Sequence, residues 1–438
     1  MRLLYFILYV SFQYTIRLFY KTIKTVNSPR ERMGRTIYVS NHPASFMDPL
    51  VVASLRQPIV FFMTRSDVFT TFSKPFLWMA HMLPIYRQHD GGDTKGKNKD
   101  TFLKSTEVLK SGRNILIFGE GFTDDKFVRR LKPVKKGAIR LGFGALEALD
   151  WKKKVYVAAV GNNYTAPNLL RSDLLIATSD KICLNDYQEQ YKANPAQVIN
   201  ELTRKVEELM RDQITHVEKL EWTDFHEQIM TITRKGMNAF SYDRNRSLKQ
   251  RWSYSRSLAL WLNNKETLNE KEELLKSDLD AYFRLLKKNQ LRDEFIYQKS
   301  IGRLNRGQEL MKLIALLPFM LLGVIHLGIL YFGIKRFVEK SFKRRVFWGS
   351  TKMVIGMIAM GLFNLPMIWI FKAFIVDSWS LGILYYLAIG LFGLAAYEWF
   401  RSLKLFVEKG KVLQADVHQM IEKRRDLKER IERMIQLD

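Results

Sequence analysis

Ser40-Asn41-His42-Pro43-Ala44-Ser45-Phe46-Met47-Asp48-Pro49 (SNHPASFMDP) follows the short apolar run TIYV, and its reading decides what the chain is. TIYV has the branched and aromatic content of a buried strand. Ser45-x-x-Asp48 has the form of a capping box, in which hydroxyl and carboxylate satisfy free amides at a helix start. Pro43 pushes His42 away from helical backbone and into the strand-to-loop junction. Local structure thus accounts for the serine, the aspartate and both prolines. It leaves the histidine unexplained. In a continuous helix six residues turn the chain through roughly 600°, which puts His42 and Asp48 on different faces. They meet only if the chain bends between them, and Pro43 supplies a bend. On these ten residues a helix cap and a general base with its orienting acid stand side by side.

The 438 residues leave room for two or three domains. A net charge of +26 and a sequence pI near 9.9 point to a polyanionic surface, either nucleic acid or anionic lipid. Long apolar runs in the last third decide for anionic membrane lipids and against nucleic acid. The one cysteine, Cys183, rules out an internal disulfide framework and fits a reducing compartment. The seven histidines are scattered, without HExxH or a Cys/His cluster, so no metal site is expected.

Residues 3–20 are apolar and aromatic but carry Ser11, Gln13 and Arg17. Their charge-free run is about 14 residues, short of the roughly 20 that span a bilayer. An interfacial helix within 1–29 is expected, and the lack of a small-residue cleavage site argues against a signal peptide. Next come TIYVS, IVFFM, NILIF, VYVAAV and LLIAT, which read as strands, separated by helix-like stretches such as TFLKSTEVLKSG. This alternation implies an α/β fold, a mostly parallel sheet flanked by helices, with its site in loops beyond the strand ends. Strands then stop, and Val198, Leu202, Val206 and Met210 recur every four residues.

A helical extension is expected over 221–312 and a membrane region over 313–400. In the latter, 353–371 and 379–397 form a plausible transmembrane hairpin around Asp377. Segment 313–334 lies between two basic clusters, Arg303/Arg306/Lys312 and Lys335/Arg336/Lys340/Lys343/Arg344/Arg345. Because basic residues mark cytoplasmic loops, this segment is expected to dip in and return, or to lie at the interface, helped by Pro318 and Gly323. The tail, 401–438, is a charged amphipathic helix. Its seam of Leu413, Val417, Met420, Leu427, Ile431 and Met434 is interrupted by Arg424.

Four stretches settle the opening question. SNHPASFMDP is followed by LPIYRQHDG with Arg87, NILIFGEGF with Glu120 and Gly121, and VAAVGNNYTAPNLLRS with Arg171. Their order and spacing resemble the four blocks of the glycerophospholipid (PlsC-like) acyltransferases. The likeness runs from about residue 30 to 220 and includes LKPVKKGAIRLGF, so 30–220 is expected to be a PlsC-like acyltransferase domain. Five residues separate His42 from Asp48, where the commonest first block has four. The longer block, ending in aspartate-proline, is similar to that of the glycerol-3-phosphate/dihydroxyacetone-phosphate acyltransferases. The third block departs too: Phe122, Thr123 and Asp124 follow Gly121 where the family has threonine-arginine.

The resemblance implies acyl transfer from a thioester, acyl-CoA or acyl carrier protein, to a phosphorylated glycerol acceptor, with no further cofactor. Attack by a hydroxyl needs a base, and a neutral imidazole suits it at cellular pH. Asp48 would hold the imidazole tautomer and stabilise the imidazolium, as the acid of a Ser-His-Asp triad does. No serine nucleophile is needed, because the acceptor alcohol takes its place. Phosphate calls for Arg or Lys: Arg87 first, then Arg171, with Lys135 in place of the missing arginine or part of a solvated basic face. Glu120 is implied as a contact to the acceptor hydroxyls, or is a strand-end carboxylate held by local amides. Gly121 lets backbone approach a ligand. His81 and His89 read as structural or exposed. The expected enzyme faces the cytoplasm from the cell membrane and acylates glycerol 3-phosphate or dihydroxyacetone phosphate in phosphatidic acid synthesis. Acylation of 1-acylglycerol 3-phosphate is the alternative, and a catalytically silent lipid-binding protein is the alternative of another class.

Overall fold

The computed structural model describes residues 3–29, 34–55, 59–66, 69–71, 73–86 and 94–435. The chain forms two compact units, Met1–Glu218 and Lys219–Asp438.

The first unit is built on an eight-stranded sheet. Its strands are β1 (Thr22–Val26), β2 (Thr36–Ser40), β3 (Val60–Arg65), β4 (Met82–Ile85), β5 (Asn114–Phe118), β6 (Tyr156–Tyr164), β7 (Asp173–Thr178) and β8 (Ile182–Cys183). They lie in the order β1-β7-β6-β2-β5-β3-β4, with β8 beside β6. From β6 to β4 every pairing is parallel; β7 runs antiparallel to β6, and β1 runs parallel to β7. The expected α/β fold is therefore present. All five residues of β2 are buried, as a central strand covered on both faces requires. Three strands escape a reading of apolar runs: the two-residue β8, and the edges β1 and β4. β1 carries Lys24 and β4 carries Pro84, residues that sheets place at edges to stop further pairing.

The helices around this sheet are α1 (Leu3–Phe19), α2 (Met47–Leu55), α3 (Ser73–Met79), α4 (Thr94–Lys110), α5 (Gly137–Glu147), α6 (Gln188–Ala193) and α7 (Pro195–Gln213). On α7 the four-residue repeat Val198, Leu202, Val206 and Met210 is the buried face. Gly161 of β6 admits the end of that helix: a Cβ there would stand 2.1 Å from the Gln213 carbonyl oxygen. Helix α1 buries Tyr5, Phe12 and Ile16, while Leu3, Phe6, Ile7, Val10 and Tyr14 form an exposed apolar stripe on it.

The second unit is helical. It comprises α8 (Thr223–Thr233), α9 (Leu248–Asn263), α10 (Glu270–Lys288), α11 (Asp293–Ser300), α12 (Gly307–Ser341), α13 (Trp348–Asn364), α14 (Met367–Phe374), α15 (Trp379–Gln414) and α16 (His418–Met434). The stretches 307–341, 345–374 and 379–414 are long and apolar enough to cross a membrane. Three sequence expectations change here. Segment 313–334 does not dip and return: it is the middle of one uninterrupted helix that passes through Pro318. In a bundle the backbone freed by a proline finds other partners, so the helix continues. The segment 353–371, expected as one arm of a hairpin, breaks at Leu365–Pro366 into α13 and α14. The boundary at 400/401 falls inside α15, and the charged helix begins at His418. Arg424, the expected interruption of its seam, is buried. Its Nε and Nη2 donate to the two oxygens of Asp293, at 2.8 and 3.0 Å.

Candidate active site

Strand β2 delivers Ser40 to the carboxyl edge of the sheet, and the next residues turn sharply. Ser45 takes a left-handed φ of 55°. That bend carries Asp48, in the first turn of α2, back beneath His42. His42 Nδ1 lies 2.9 Å from Asp48 Oδ2. The same oxygen accepts the Ala44 N–H at 2.9 Å, and Oδ1 accepts the Tyr164 hydroxyl at 2.8 Å. Asp48 therefore orients the histidine and, in place of the expected capping-box bond to Ser45, holds the Ala44 amide. Its side chain is fully buried, whereas that of His42 is 18% exposed. Burial pushes the Asp48 carboxyl above its usual range, and bonds to His42, Ala44 and Tyr164 pull it partly back. The His42 ring stacks on Phe118 at 4.1 Å, which limits its rotation.

Glu120 stands on the turn after β5. Its Oε1 accepts the His42 backbone N–H at 2.7 Å, and its Oε2 accepts the Lys132 N–H at 3.3 Å. Burial raises this carboxyl as well, against the lowering effect of those two amides. Gly121 follows with φ +77°, and a Cβ there would lie 2.7 Å from Lys135 Nζ. Asn41 and Asn162 tie the β2 turn to β6: Asn41 Nδ2 donates to the Asn162 carbonyl at 3.1 Å, and the Asn162 N–H returns a bond to Asn41 Oδ1 at 2.8 Å.

A shallow cleft opens over His42. Beside Asn41, Glu120, Asn162 and Asn163, its lining includes Lys126, Arg129, Arg130 and Lys132 from the loop after β5. Arg129 Nη1 donates to the Tyr164 carbonyl at 2.9 Å, and Lys132 pairs with Asp124 at 2.7 Å. His216 steadies this loop, because its Nδ1 accepts the Leu131 N–H at 2.9 Å and its Nε2 meets Glu218 at 2.9 Å. Burial lowers the His216 pKa, which suits a neutral ring accepting at Nδ1.

The structure brings His42, Asp48 and Glu120 together at this cleft, with Gly121 and Lys135 against each other beside it. It puts Arg171 elsewhere: the Arg171 N–H donates to the Phe19 carbonyl at 2.6 Å, and Nη1 lies 3.5 Å from that of Leu18, at the end of α1. Arg171 is not among the residues lining the cleft. Arg87 and His89 lie outside the described residues. His81 is buried between the rings of Tyr5 and Phe61, a structural setting as expected. Sequence reasoning gave Tyr164 of the fourth block no role, and it passed over the basic cleft wall. For the wall a signal existed in Val128-Arg129-Arg130-Leu131-Lys132, directly after the third block.

Among the described residues no group of three or more His, Cys, Asp or Glu side chains could hold a metal ion. A histidine backed by a buried carboxylate, at the mouth of a basic cleft on the carboxyl edge of a parallel sheet, is equipped to deprotonate a hydroxyl beside an anion. Residues 22–161 match the model of a family described as Acyltransferase. That match identifies an acyltransferase-family domain within the first unit. Among solved structures the chain is similar to the 1-acyl-sn-glycerophosphate (LPA) acyltransferase PlsC from Thermotoga maritima. Identity is 14% over 47% of this chain and 80% of that one, with a TM-score of 0.32. No curated protein matches the chain.

Proposed function

We propose that this protein transfers a fatty acyl group from acyl-CoA or acyl carrier protein to a hydroxyl of glycerol 3-phosphate or dihydroxyacetone phosphate, in phosphatidic acid synthesis. The observation that carries the chemistry is the bond from His42 Nδ1 to a fully buried Asp48. With its Nδ1 proton held by that carboxylate, the imidazole has Nε2 as its base. Nε2 takes the proton of the acceptor hydroxyl while the oxygen attacks the thioester carbonyl. The tetrahedral intermediate collapses, the carbon–sulfur bond breaks, and the imidazolium returns the proton to the thiolate. A silent lipid-binding protein would have no use for this dyad.

Arg130, Lys126 and Lys132 in the cleft wall supply cationic surroundings for the acceptor phosphate. The preference for a small acceptor rests on the lining, which is mostly polar around Phe127, Val128 and Ile214. An acylated acceptor would need a longer apolar bed. Glu120 acts by fixing the His42 main chain, since both of its oxygens already hold amides. Soluble thioester donors place the domain on the cytoplasmic face. Purified protein offered glycerol 3-phosphate, dihydroxyacetone phosphate and 1-acylglycerol 3-phosphate, each with both donors, tests the assignment. A preference for the acylated acceptor would overturn the small-acceptor reading, and turnover by His42→Ala would overturn the mechanism.

A further inference from the structure

The membrane region of the second unit is built as a pair inside a pair. Helices α12 and α15 pack along their length in opposite directions. Lys409 Nζ meets Glu309 at 3.2 Å, Trp399 Nε1 donates to the Leu313 carbonyl at 2.9 Å, and His326 Nε2 meets the Tyr385 hydroxyl at 2.7 Å. Between these levels Gly323 backs onto Phe392, whose carbonyl oxygen would be 2.2 Å from an added Cβ. As numbers rise along α12 they fall along α15, so Glu309 and Lys409 mark one end of the bundle.

The segment between them begins and finishes at the other end. Trp348 Nε1 donates to the Phe342 carbonyl at 2.8 Å, and Lys352 pairs with Glu339 at 2.7 Å, beside the end of α12. Helix α13 then runs inward until Tyr386 donates to the Gly361 carbonyl at 3.0 Å and Asn364 Nδ2 lies 3.5 Å from that of His326. The chain turns at Leu365–Pro366. Helix α14 comes back along the start of α15, with Phe371 stacked on Tyr385, Trp369 against Trp379, and Lys372 paired with Asp377.

The flanks agree. Helix α16, after the last apolar helix, packs on α8, α10 and α11, which precede the first. Arg424 is buried against Asp293, and Arg430 reaches Asp278 at 2.7 Å. The chain before residue 307 and after 414 therefore lies on one side of the bilayer, and the number of crossings is even. Three spans, which length and hydropathy alone permit, would separate α16 from its partners.

We infer that 307–414 crosses the membrane twice, through α12 and α15, and that α13–α14 is a re-entrant helical pair that enters from the far side and returns there. Its turn reaches the level of His326. Eight residues at 1.5 Å each put that about 12 Å below Ile334, where the charge-free run of α12 ends, within a hydrocarbon core of roughly 30 Å. Broken backbone at such depth needs shelter within protein. Asn364 beside the turn is 1% exposed, and its amide caps the Met360 carbonyl at 2.8 Å. Leu362, Phe363 and Phe374 are 67%, 58% and 84% exposed, surfaces that acyl chains would cover.

Single cysteines at the exposed positions Arg303, Lys343, Asp377 and Gln419 of a Cys183→Ser chain, treated with an impermeant thiol reagent before and after permeabilisation, test this. The readout needs only membrane-inserted protein, so it is independent of the acceptor. Sites 343 and 377 should label together on one side, and 303 and 419 together on the other. Labelling of 343 and 377 from opposite sides would mean three spans, and labelling of all four from one side would mean no span. Either result overturns the inference.

Discussion

Tyr164 donates its hydroxyl to Asp48 Oδ1 at 2.8 Å, with both residues shut off from solvent. The bond joins the end of β6 to the first turn of α2. It engages the carboxylate oxygen that does not face His42, and the ring of Tyr20 packs behind it at 5.8 Å. Removing a donor from an ionised pair raises that pair's affinity for a proton. Tyr164→Phe should therefore shift the acid limb of the kcat/KM profile to higher pH and slow turnover about 10-fold, the size of one bond to a charged group. A purely structural tyrosine would lower the yield of active protein and leave the limb in place.

Glu120→Gln distinguishes the two readings of that carboxylate. The amide side chain keeps one acceptor for the His42 N–H but turns an NH₂ toward the Lys132 N–H, so the turn under the histidine loosens. Steady-state assays should show turnover slowed by about 10-fold with acceptor KM unchanged. A rise in acceptor KM at constant turnover would place Glu120 on the acceptor hydroxyls.

Asp48→Asn should abolish turnover and yet stabilise the fold at neutral pH. A carboxyl whose pKa is raised in the folded state contributes stability below its unfolded value, and loses it as pH rises through the folded value. At pH 7 the buried Asp48 is on the unfavourable side of that balance. The apparent melting temperature of the variant should exceed the parent's at pH 7, and the gap should close toward pH ~4, the ordinary carboxyl range. A variant that melts lower at pH 7 would show that the three bonds to Asp48 outweigh its desolvation.

Arg130→Ala should raise KM for the phosphorylated acceptor about 10-fold, the worth of one charge-assisted contact, and leave donor KM unchanged. Arg171→Ala, which removes a side chain at the end of α1, should leave acceptor KM alone and lower thermal stability. The reverse pattern would put the phosphate beside Arg171 and leave Arg130 outside the site.

Much was legible in the sequence because it is local. Runs such as TIYVS and NILIF are buried on both faces of the sheet, so composition alone marks them as strands. The pairing of His42 with Asp48 was half legible: residue types and Pro43 allowed it, and the left-handed turn at Ser45 completes it. The edge strands β1 and β4 were not legible, because Lys24 and Pro84 suit an edge by arguing against a strand. Partners far apart in the chain were beyond reach. Tyr164 lies 116 positions from Asp48, and Arg424 lies 131 from Asp293. Hydropathy counts apolar residues along one segment, so it admits three spans equally. Whether a segment crosses or returns depends on which neighbours meet its two ends. Only the packed helices, with Lys352 at Glu339 and Lys372 at Asp377, decide that.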